Sequence, residues 1–364
     1  MYKRLKVKIY PTYKQIEILE NHFNAFRYCY NLCLEYKKIL WFDHRKNVSG
    51  YDMGKELLQI RKQEDWLLKC KAECIREAGH QLDKSYKKFY KGKGFPKFKS
   101  RKGEQSFHAY QNINIKGNRV TFYKNSIKFK TSKHYEEQLE ISKIKKVTFK
   151  KDLVGDYWAT FLIEDKTDLT LPKKDNHIGV DLGIKDLAIT SEGEVFENNR
   201  YLQKQHFKLR KLQRKFAKTK KGGKNREKLR VKIAKVYRKV LRQKEHHYHQ
   251  ITNKLIRENQ TIVIETLKVK KMIEKKKLSR EISDVSWGMF TNMLEYKANW
   301  CGRDLIKVDT YFPSSKKCSS CGNIKEELKL SQRQYKCDRC NTSLDRDLNA
   351  ALNILQEGLR LKQG

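Results

Sequence analysis

The spacing of apolar positions changes several times along this chain, and each change predicts a different kind of element. Residues 3–10 (KRLKVKIY) alternate basic and apolar side chains, which is typical of a strand. From residue 14 to residue 90 the apolar positions recur at helical spacing, and the Gly- and Pro-containing stretch at 92–98 ends the last helix. We therefore expect one strand followed by a helical block.

Residues 106–164 change to short runs typical of strands, namely INI, RVTF, SIKFK, KVTFK and YWATFLIE. The simplest interpretation is a small antiparallel β-barrel that the first strand begins and the helical block interrupts. The predicted limits are 1–12 and 91–165 for the barrel and 13–90 for the helical region.

After a linker at 167–176, the pattern becomes one of apolar strands alternating with helices. The predicted strands are HIGVDLGI, LAIT, EVFE, TIVIET and DLIKVD, and the predicted helices are 201–217, 224–259, 286–302 and a last one from about Arg346. Such alternation favours a sheet with helices on its faces. The chain is thus predicted to be an α+β protein of several domains.

The charge balance changes the picture of the surface. The chain has 82 Lys and Arg against 42 Asp and Glu, a net charge of +40. Because so many positive charges repel one another, a net charge of this size favours a polyanionic partner that neutralises it. The alternative is a solvated, lysine-rich surface. No apolar run approaches the roughly 20 residues that span a bilayer, and no secretory signal is seen, so we expect a cytoplasmic protein without a membrane partner.

Three carboxylates lie in settings that ask for a chemical explanation. Asp181 interrupts an apolar strand, Glu265 ends another, and Asp347 begins the last helix. A buried carboxylate is costly unless it is paired or bound to metal, and phosphodiester cleavage by two metals needs several converging carboxylates. Taken singly, each could be an ordinary strand-end or capping residue.

Four of the nine cysteines form a CxxC…CxxC pair with 15 residues between the two halves: Cys318, Cys321, Cys337 and Cys340. This spacing predicts one structural Zn²⁺ held by four thiolates. Another four, Cys29, Cys33, Cys70 and Cys74, fall at helical spacing and are more simply core residues than a second metal site. Cys301 has no such partner in the sequence.

The segments GVDLGIKDLAIT, IVIET, SDVSWGMFTNMLEYKANWCG, YFPSSKKCSSCG, CDRC and DRDLNAALNI, in this order, closely resemble the TnpB family of transposon-encoded proteins related to type V CRISPR effectors. The resemblance is strong over 166–364 and looser before it. It implies an RNA-guided endonuclease that cuts double-stranded DNA next to a short flanking motif. It also implies an RNase H-like RuvC domain at 166–310 and 342–364, with a zinc-binding insertion at 311–341.

The family's three acidic positions fall on Asp181, Glu265 and Asp347. The resemblance implies that they hold two Mg²⁺ (or Mn²⁺) ions, with Asp181 bridging both. Two neighbours are rejected: Asp186 falls in a turn, and Asp345 is better placed as the cap of the last helix. In the family motif, the metal-binding acid is the one followed by X-Asn.

Other site residues are predicted on chemistry alone. Arg333, inside the loop that the zinc closes, is a candidate to contact the scissile phosphate. Arg76, His80 and Gln111 are candidates to read the flanking DNA motif. The implied partners are a guide RNA from the transposon end, the target DNA and a transposase of the same element.

Three other functions fit parts of the same pattern. One is a compact type V CRISPR effector with the same chemistry and a different source of guide. Another is a nuclease-dead, RNA-guided repressor, against which the intact acidic residues argue. The third is an unguided resolvase, which leaves the barrel and the helical region unexplained.

Overall fold

The computed structural model describes residues 2–274, 278–329 and 331–363, and the chain divides into two units after Thr167. The first unit contains the strands β1 (Tyr2–Tyr10), β2 (Gln105–Ala109), β3 (Asn114–Lys116), β4 (Arg119–Phe122), β5 (Asn125–Lys130), β6 (Lys143–Lys151) and β7 (Tyr157–Glu164). Its helices are α1 (Tyr13–His44), α2 (Gly50–Gln63), α3 (Asp65–Leu68), α4 (Ala72–Tyr90) and α5 (Lys133–Ile141).

The strands of the first unit form one antiparallel sheet in the order β2-β6-β7-β1-β5-β4-β3. The described strands therefore pair as an open row with β2 and β3 at its edges, whereas the sequence predicted a barrel. The row is strongly curled, because Phe107 of β2 lies 5.4 Å from Phe122 of β4, measured between ring centroids. Aromatic packing thus brings opposite ends of the sheet together around one core.

The helical block is divided more finely than the sequence predicted. Two regions of helical spacing become α1, α2, α3 and α4, and α5 was not predicted at all. Glycine usually disfavours helices, yet here glycines allow α2 and α4 to pack closely. A side chain on Gly79 of α4 would lie 2.9 Å from the carbonyl oxygen of Gly50 in α2. The helix α5 buries only Gln138 and Leu139, so its sequence carries little periodic signal.

The second unit contains the strands β8 (His177–Leu182), β9 (Asp186–Thr190), β10 (Val195–Glu197), β11 (Thr261–Glu265), β12 (Asp304–Val308), β13 (Gln334–Lys336) and β14 (Ser343–Asp345). Its helices are α6 (Tyr201–Lys204), α7 (His206–Ala217), α8 (Lys224–Glu258), α9 (Val269–Glu274), α10 (Ser279–Val285), α11 (Trp287–Cys301) and α12 (Arg346–Gln363). The short helices α9 and α10 were not predicted.

The main sheet of this unit has the order β10-β9-β8-β11-β12. The strands β8, β11 and β12 are parallel, and β9 runs antiparallel to both of its neighbours. The helix α12 lies close to β8, because any side chain at Gly179 would overlap the carbonyl oxygen of Ala351. This contact fixes where α12 begins relative to the centre of the sheet.

None of the described helices is both long and apolar enough to cross a membrane.

Candidate functional site

Two of the predicted carboxylates lie side by side at the centre of the second sheet. Ile264 of β11 pairs with Val180 of β8, so the next residues along these parallel strands, Glu265 and Asp181, are neighbours. The Glu265 carboxylate accepts a hydrogen bond of 3.3 Å from the backbone N–H of Leu182. The parallel register therefore brings together two acids that are 84 positions apart in the sequence.

The third carboxylate, Asp347, lies in the first turn of α12. Its neighbour Asp345 accepts backbone N–H bonds from Asp347 (2.8 Å) and Leu348 (3.1 Å), which makes it the cap of the helix, as predicted. Asp186, which the sequence placed in a turn, is instead the first residue of β9 and lies 3.8 Å from the Lys185 ammonium. The carboxylate of Asp347 is thus left free of the capping role.

The pKa of each of the three carboxyl groups is raised. Burial raises the pKa of Asp181 well above its usual range, and the charges of Glu265 and then Asp347 raise it further. Burial also raises the pKa of Glu265 to about 7. The pKa of Asp347 is raised by burial and by Asp345 and is lowered in part by Arg333. A bound cation would relieve the repulsion that Glu265 and Asp347 exert on Asp181.

A cleft of about 510 Å³ opens onto this cluster. Asp181, Asp347 and Arg333 all line it, and the Arg333 guanidinium lies 3.6 Å from the Asp347 carboxylate. The Arg333 side chain is 55% exposed, so it remains accessible from solvent. The structure therefore brings Arg333 to the predicted acidic cluster.

The four predicted zinc ligands also come together. Cys318, Cys321, Cys337 and Cys340 place their sulfur atoms within 4.8 Å of one another, and in the described part of the chain they are the one such group of three or more potential ligands. A hydrogen bond from the Thr342 hydroxyl lowers the pKa of Cys340 to about 6. The cluster fits a tetrahedral zinc ion, whose ligands are thiolates.

The turn after Cys340 contains a residue in the left-handed conformation. Asn341 has φ = 57°, a backbone that asparagine tolerates better than most residues with a side chain. We call the segment 314–342, which carries the four cysteines, the knuckle.

The sequence did not predict the residues that join the knuckle to α12. The Asn353 side chain donates to the backbone carbonyls of Ser314 (2.8 Å) and Lys317 (2.6 Å). Asn349 donates to the same Lys317 carbonyl (2.7 Å) and accepts from the Ser319 N–H (3.0 Å). Both asparagines are fully buried. Their spacing of four, in DRDLNAALNI, was the available signal, because it places both on one helix face.

The candidates for reading the flanking DNA motif lie at the start of α4 and in the loop after β2. The N–H of Gln111 donates to the Glu73 carboxylate (3.1 Å), and its carbonyl accepts from the Lys71 ammonium (2.7 Å). Arg76 is exposed and His80 is half-buried, one and two turns further along α4 than Glu73. The loop of Gln111 is thus fixed to the helix that carries the other two candidates.

A basic sheet face in the first unit was also missed. The outward positions of β1 are Arg4, Lys6 and Lys8, and Lys6 pairs across the sheet with Thr160, which pairs with Thr148 and then His108. The Lys6 ammonium lies 4.7 Å from the centre of the Trp158 ring. The alternation of KRLKVKIY predicted the strand, yet the basic side chains on one side of it were not singled out in the sequence.

Three family models match the chain. The OrfB_IS605 model, described as a probable transposase, matches residues 160–276, and a Cas12f1-like TNB domain model matches 287–354. A model described as a helix-turn-helix domain matches residues 1–46, where the structure has a strand and a single long helix.

Similar proteins extend over almost the whole chain. A Streptomyces pristinaespiralis protein named as an RNA-guided DNA endonuclease is 33% identical, covering 98% of this chain and 89% of that protein. InsQ of Escherichia coli K12, with the same description, is 25% identical over 80% of this chain and 76% of its own length. The TnpB-like protein L79 of Acanthamoeba polyphaga mimivirus is 27% identical over 98% of this chain and 73% of that protein.

Among solved structures, the cryo-EM structure of a Cas12f1–sgRNA–target DNA complex contains a similar chain. The TM-score is 0.61 at 15% sequence identity, covering 94% of this chain and 83% of that one. At this identity the likeness shows a shared α+β fold.

Proposed function

We infer that this chain, which belongs to the OrfB_IS605 family of TnpB proteins, is a transposon-associated RNA-guided DNA endonuclease. Identity of 33% over 98% of the chain carries the family membership. The half-buried carboxylates Asp181, Glu265 and Asp347 are the observation that carries the chemistry, because two of them, Asp181 and Asp347, offer cation ligands in an open cleft and Glu265 lies beside Asp181.

We propose that these three residues hold two Mg²⁺ (or Mn²⁺) ions, with Asp181 contributing to both. When bound, the ions would activate the attacking water and stabilise the leaving oxygen. The protein's own contribution is to fix the ligands on rigid elements, two parallel strands and a helix start. The repulsion of Asp181 by Glu265 and Asp347, which raises the pKa of Asp181, supports a site built for cations.

We propose that the second unit is an RNase H-like RuvC domain. The five-stranded order, with β8 at the centre and β9 as the antiparallel neighbour, supports this proposal. In such a domain a single active site would cut both strands of the target in turn. The knuckle would hold one structural Zn²⁺ through its four cysteines, since all four positions are filled by protein.

Arg333 is proposed to contact the scissile phosphate of the DNA. Its position at 3.6 Å from Asp347 and its exposure of 55% support this role, because a guanidinium there faces both the cleft and solvent. Without substrate, the same guanidinium lowers the proton affinity of Asp347.

The proposed partners are a guide RNA from the transposon end and double-stranded target DNA. A net charge of +40 and the basic sheet face support polyanionic partners, and base pairing would supply most of the sequence specificity. Arg76, His80 and Gln111 are proposed to read the flanking motif. A transposase of the same element is a further proposed partner.

The proposal is tested by cleavage with matched carboxylate variants. The complex with RNA from the native locus is assayed on double-stranded DNA with Mg²⁺. We expect Asp181→Asn to abolish cutting and to leave target binding intact. Glu192→Gln, on an exposed turn between β9 and β10, should cut as the wild type does. Cutting by Asp181→Asn at the wild-type rate would refute the site, and cutting without RNA would favour an unguided resolvase.

A second readout does not depend on cleavage. Because burial disfavours the Asp181 carboxylate in the folded state, removing its charge should raise the melting temperature in EDTA. Mg²⁺ should stabilise the wild type more than Asp181→Asn. Equal stabilisation of both proteins by Mg²⁺ would argue against cation binding at Asp181.

A further inference from the structure

A second cleft opens beside the carboxylate cleft. It has a volume of about 450 Å³, and two of its residues, Ile184 and Arg200, also line the carboxylate cleft. Its other walls come from residues of α6, α7, α8 and α10. We call it the side cleft. Because the two clefts share Ile184 and Arg200, the side cleft lies directly beside the cleft of Asp181.

Arg200 marks the junction of the two clefts and has an unusual backbone. Its φ and ψ are both 46°, in the left-handed region that disfavours residues with a side chain. Its N–H donates to the Asn198 side chain (3.1 Å), which in turn donates to the Ile184 carbonyl (2.7 Å). This chain of bonds fixes Arg200 to the turn that directly follows the strand of Asp181.

The far wall of the side cleft is also rigid. The Asp284 carboxylate, 6% exposed, accepts from the N–H groups of Leu202 (3.3 Å) and Gln203 (3.2 Å). The Lys244 ammonium, also buried, lies 2.7 Å from the same carboxylate. A buried ion pair therefore ties α6, α8 and α10 together, and the shape of the cleft is preformed.

The lining offers groups that suit one unpaired nucleotide. The guanidinium groups of Arg200 and Arg280 are engaged by no other residue in the described ranges, and Glu281 is the exposed acid beside them. Tyr237 is 45% exposed, and its hydroxyl accepts a bond of 3.5 Å from Gln213. Guanidinium groups bind phosphates, and an exposed ring stacks an unpaired base.

We propose that the side cleft binds the single-stranded nucleotide that adjoins the cut, with Arg200 and Arg280 on its phosphates and Tyr237 on its base. This inference rests on the proposed nuclease function. It gives Arg200 a substrate-binding role, in which its guanidinium would hold a phosphate of the strand beside the carboxylate cleft. The left-handed backbone of Arg200 supports this role, because such a strained conformation persists only where neighbouring contacts hold it in place.

The test measures binding without cutting. In the Asp181→Asn complex with guide RNA, fluorescence anisotropy follows binding of a single-stranded DNA oligonucleotide that spans the cut position. Adding Arg200→Gly removes the guanidinium and keeps a residue that accepts the left-handed backbone. We expect about tenfold weaker binding for Arg200→Gly, and a smaller loss for Arg280→Ala, as for lost charge-assisted phosphate contacts. Arg210→Ala, on an exposed position of α7 outside the cleft, should bind as the parent does.

In the cutting-competent protein, Arg200→Gly should raise KM about tenfold and change kcat less, because the lost contact is made to bound substrate. Unchanged binding in both Arg200→Gly and Arg280→Ala would overturn the proposal, as would a fall in kcat with KM unchanged. Failure of the nuclease proposal itself would appear separately, as a wild-type complex that cuts nothing. The binding comparison would still decide whether the side cleft holds DNA.

Discussion

Two sets of four cysteines behave in opposite ways in the two units. In the helical part of the first unit, Cys29, Cys33, Cys70 and Cys74 are almost fully buried, and burial raises the pKa of Cys29 and of Cys33 to about 12. In the knuckle, the Thr342 hydroxyl and backbone donors lower the pKa of Cys340 to about 6. Burial thus holds Cys29 and Cys33 as thiols, whereas hydrogen bonds favour the thiolate at Cys340.

The difference lies in what surrounds each sulfur. Cys29 and Cys33 face an apolar core from one helix, whose backbone N–H groups are used within the helix. The knuckle cysteines lie on tight turns, where a free N–H such as that of Arg339 reaches the Cys337 sulfur at 3.4 Å. Spacing separates the two sets in the sequence, and hydrogen-bond donors near Cys337 and Cys340 give a physical reason for the difference in the structure.

The largest effect is expected from breaking the knuckle. Cys337→Ser should lose the zinc and abolish cleavage, because a structural zinc site contributes about 10–16 kcal/mol to folding and this one is joined to the helix of Asp347. Zinc content by mass spectrometry and cleavage by gel assay check this. Cys33→Ala is the matched control and should keep one zinc per chain. Loss of zinc in the control would contradict the division between the two sets.

Removing the zinc with a chelator should allow the two sets of cysteines to be compared without a mutation. After zinc removal at neutral pH, we expect iodoacetamide to modify the exposed Cys340 at least about 100-fold faster than the four core cysteines, since the thiolate is the reactive form and the pKa of Cys340 is lowered to about 6. Peptide mass spectrometry over time gives the rates. Equal rates for Cys340 and the core cysteines in folded protein would show that burial does not protect the core thiols.

The stability of the first unit should fall in acid, because His22 is buried in its neutral form. Burial lowers the pKa of His22 from 6.5 to about 4, while its ring accepts the Lys71 N–H at 3.1 Å. The unfolded chain therefore takes up a proton below pH 6.5 that the folded chain resists. Stability is complete above pH 6.5 and falls by roughly 3 kcal/mol as the pH drops to 4.

Urea unfolding at several pH values measures this loss. His22→Gln should show a shallower dependence on pH, although His108, whose pKa burial also lowers to about 4, keeps part of it. An equally steep dependence in the variant would exclude His22 as a source.

The smallest effect is expected from a variant that tests whether the knuckle positions Asp347. Asn353→Leu removes two hydrogen bonds to knuckle carbonyls and keeps all four cysteines. We expect zinc to stay bound and cleavage to fall about tenfold, as is common for residues that orient a metal site. Leu361→Gln, exposed on the same helix, serves as the control and should cut normally. Full activity of Asn353→Leu would mean that Asp347 is positioned without the knuckle.

Local patterns predicted much of the candidate site. Asp181 and Glu265 are polar interruptions of apolar strands, and the paired CxxC motifs have zinc spacing whatever the fold around them. The capping of α12 by Asp345 also followed from local chemistry. Helices such as α2 and α5 were less predictable, because the glycines of α2 and the small buried face of α5 leave little periodicity in the sequence.

The sequence by itself determined the family, the kind of ligands and the basic character of the chain, since these depend on residue types and on spacing within short segments. Only the tertiary structure decided that Asn349 and Asn353 join the knuckle to α12, that one sheet face collects the lysines of β1, and that Arg200 stands between two clefts. Those features depend on contacts between residues far apart in the chain, and such contacts are set by strand register and close helix packing. Without that register, Asp181 and Glu265 would be two unrelated acids.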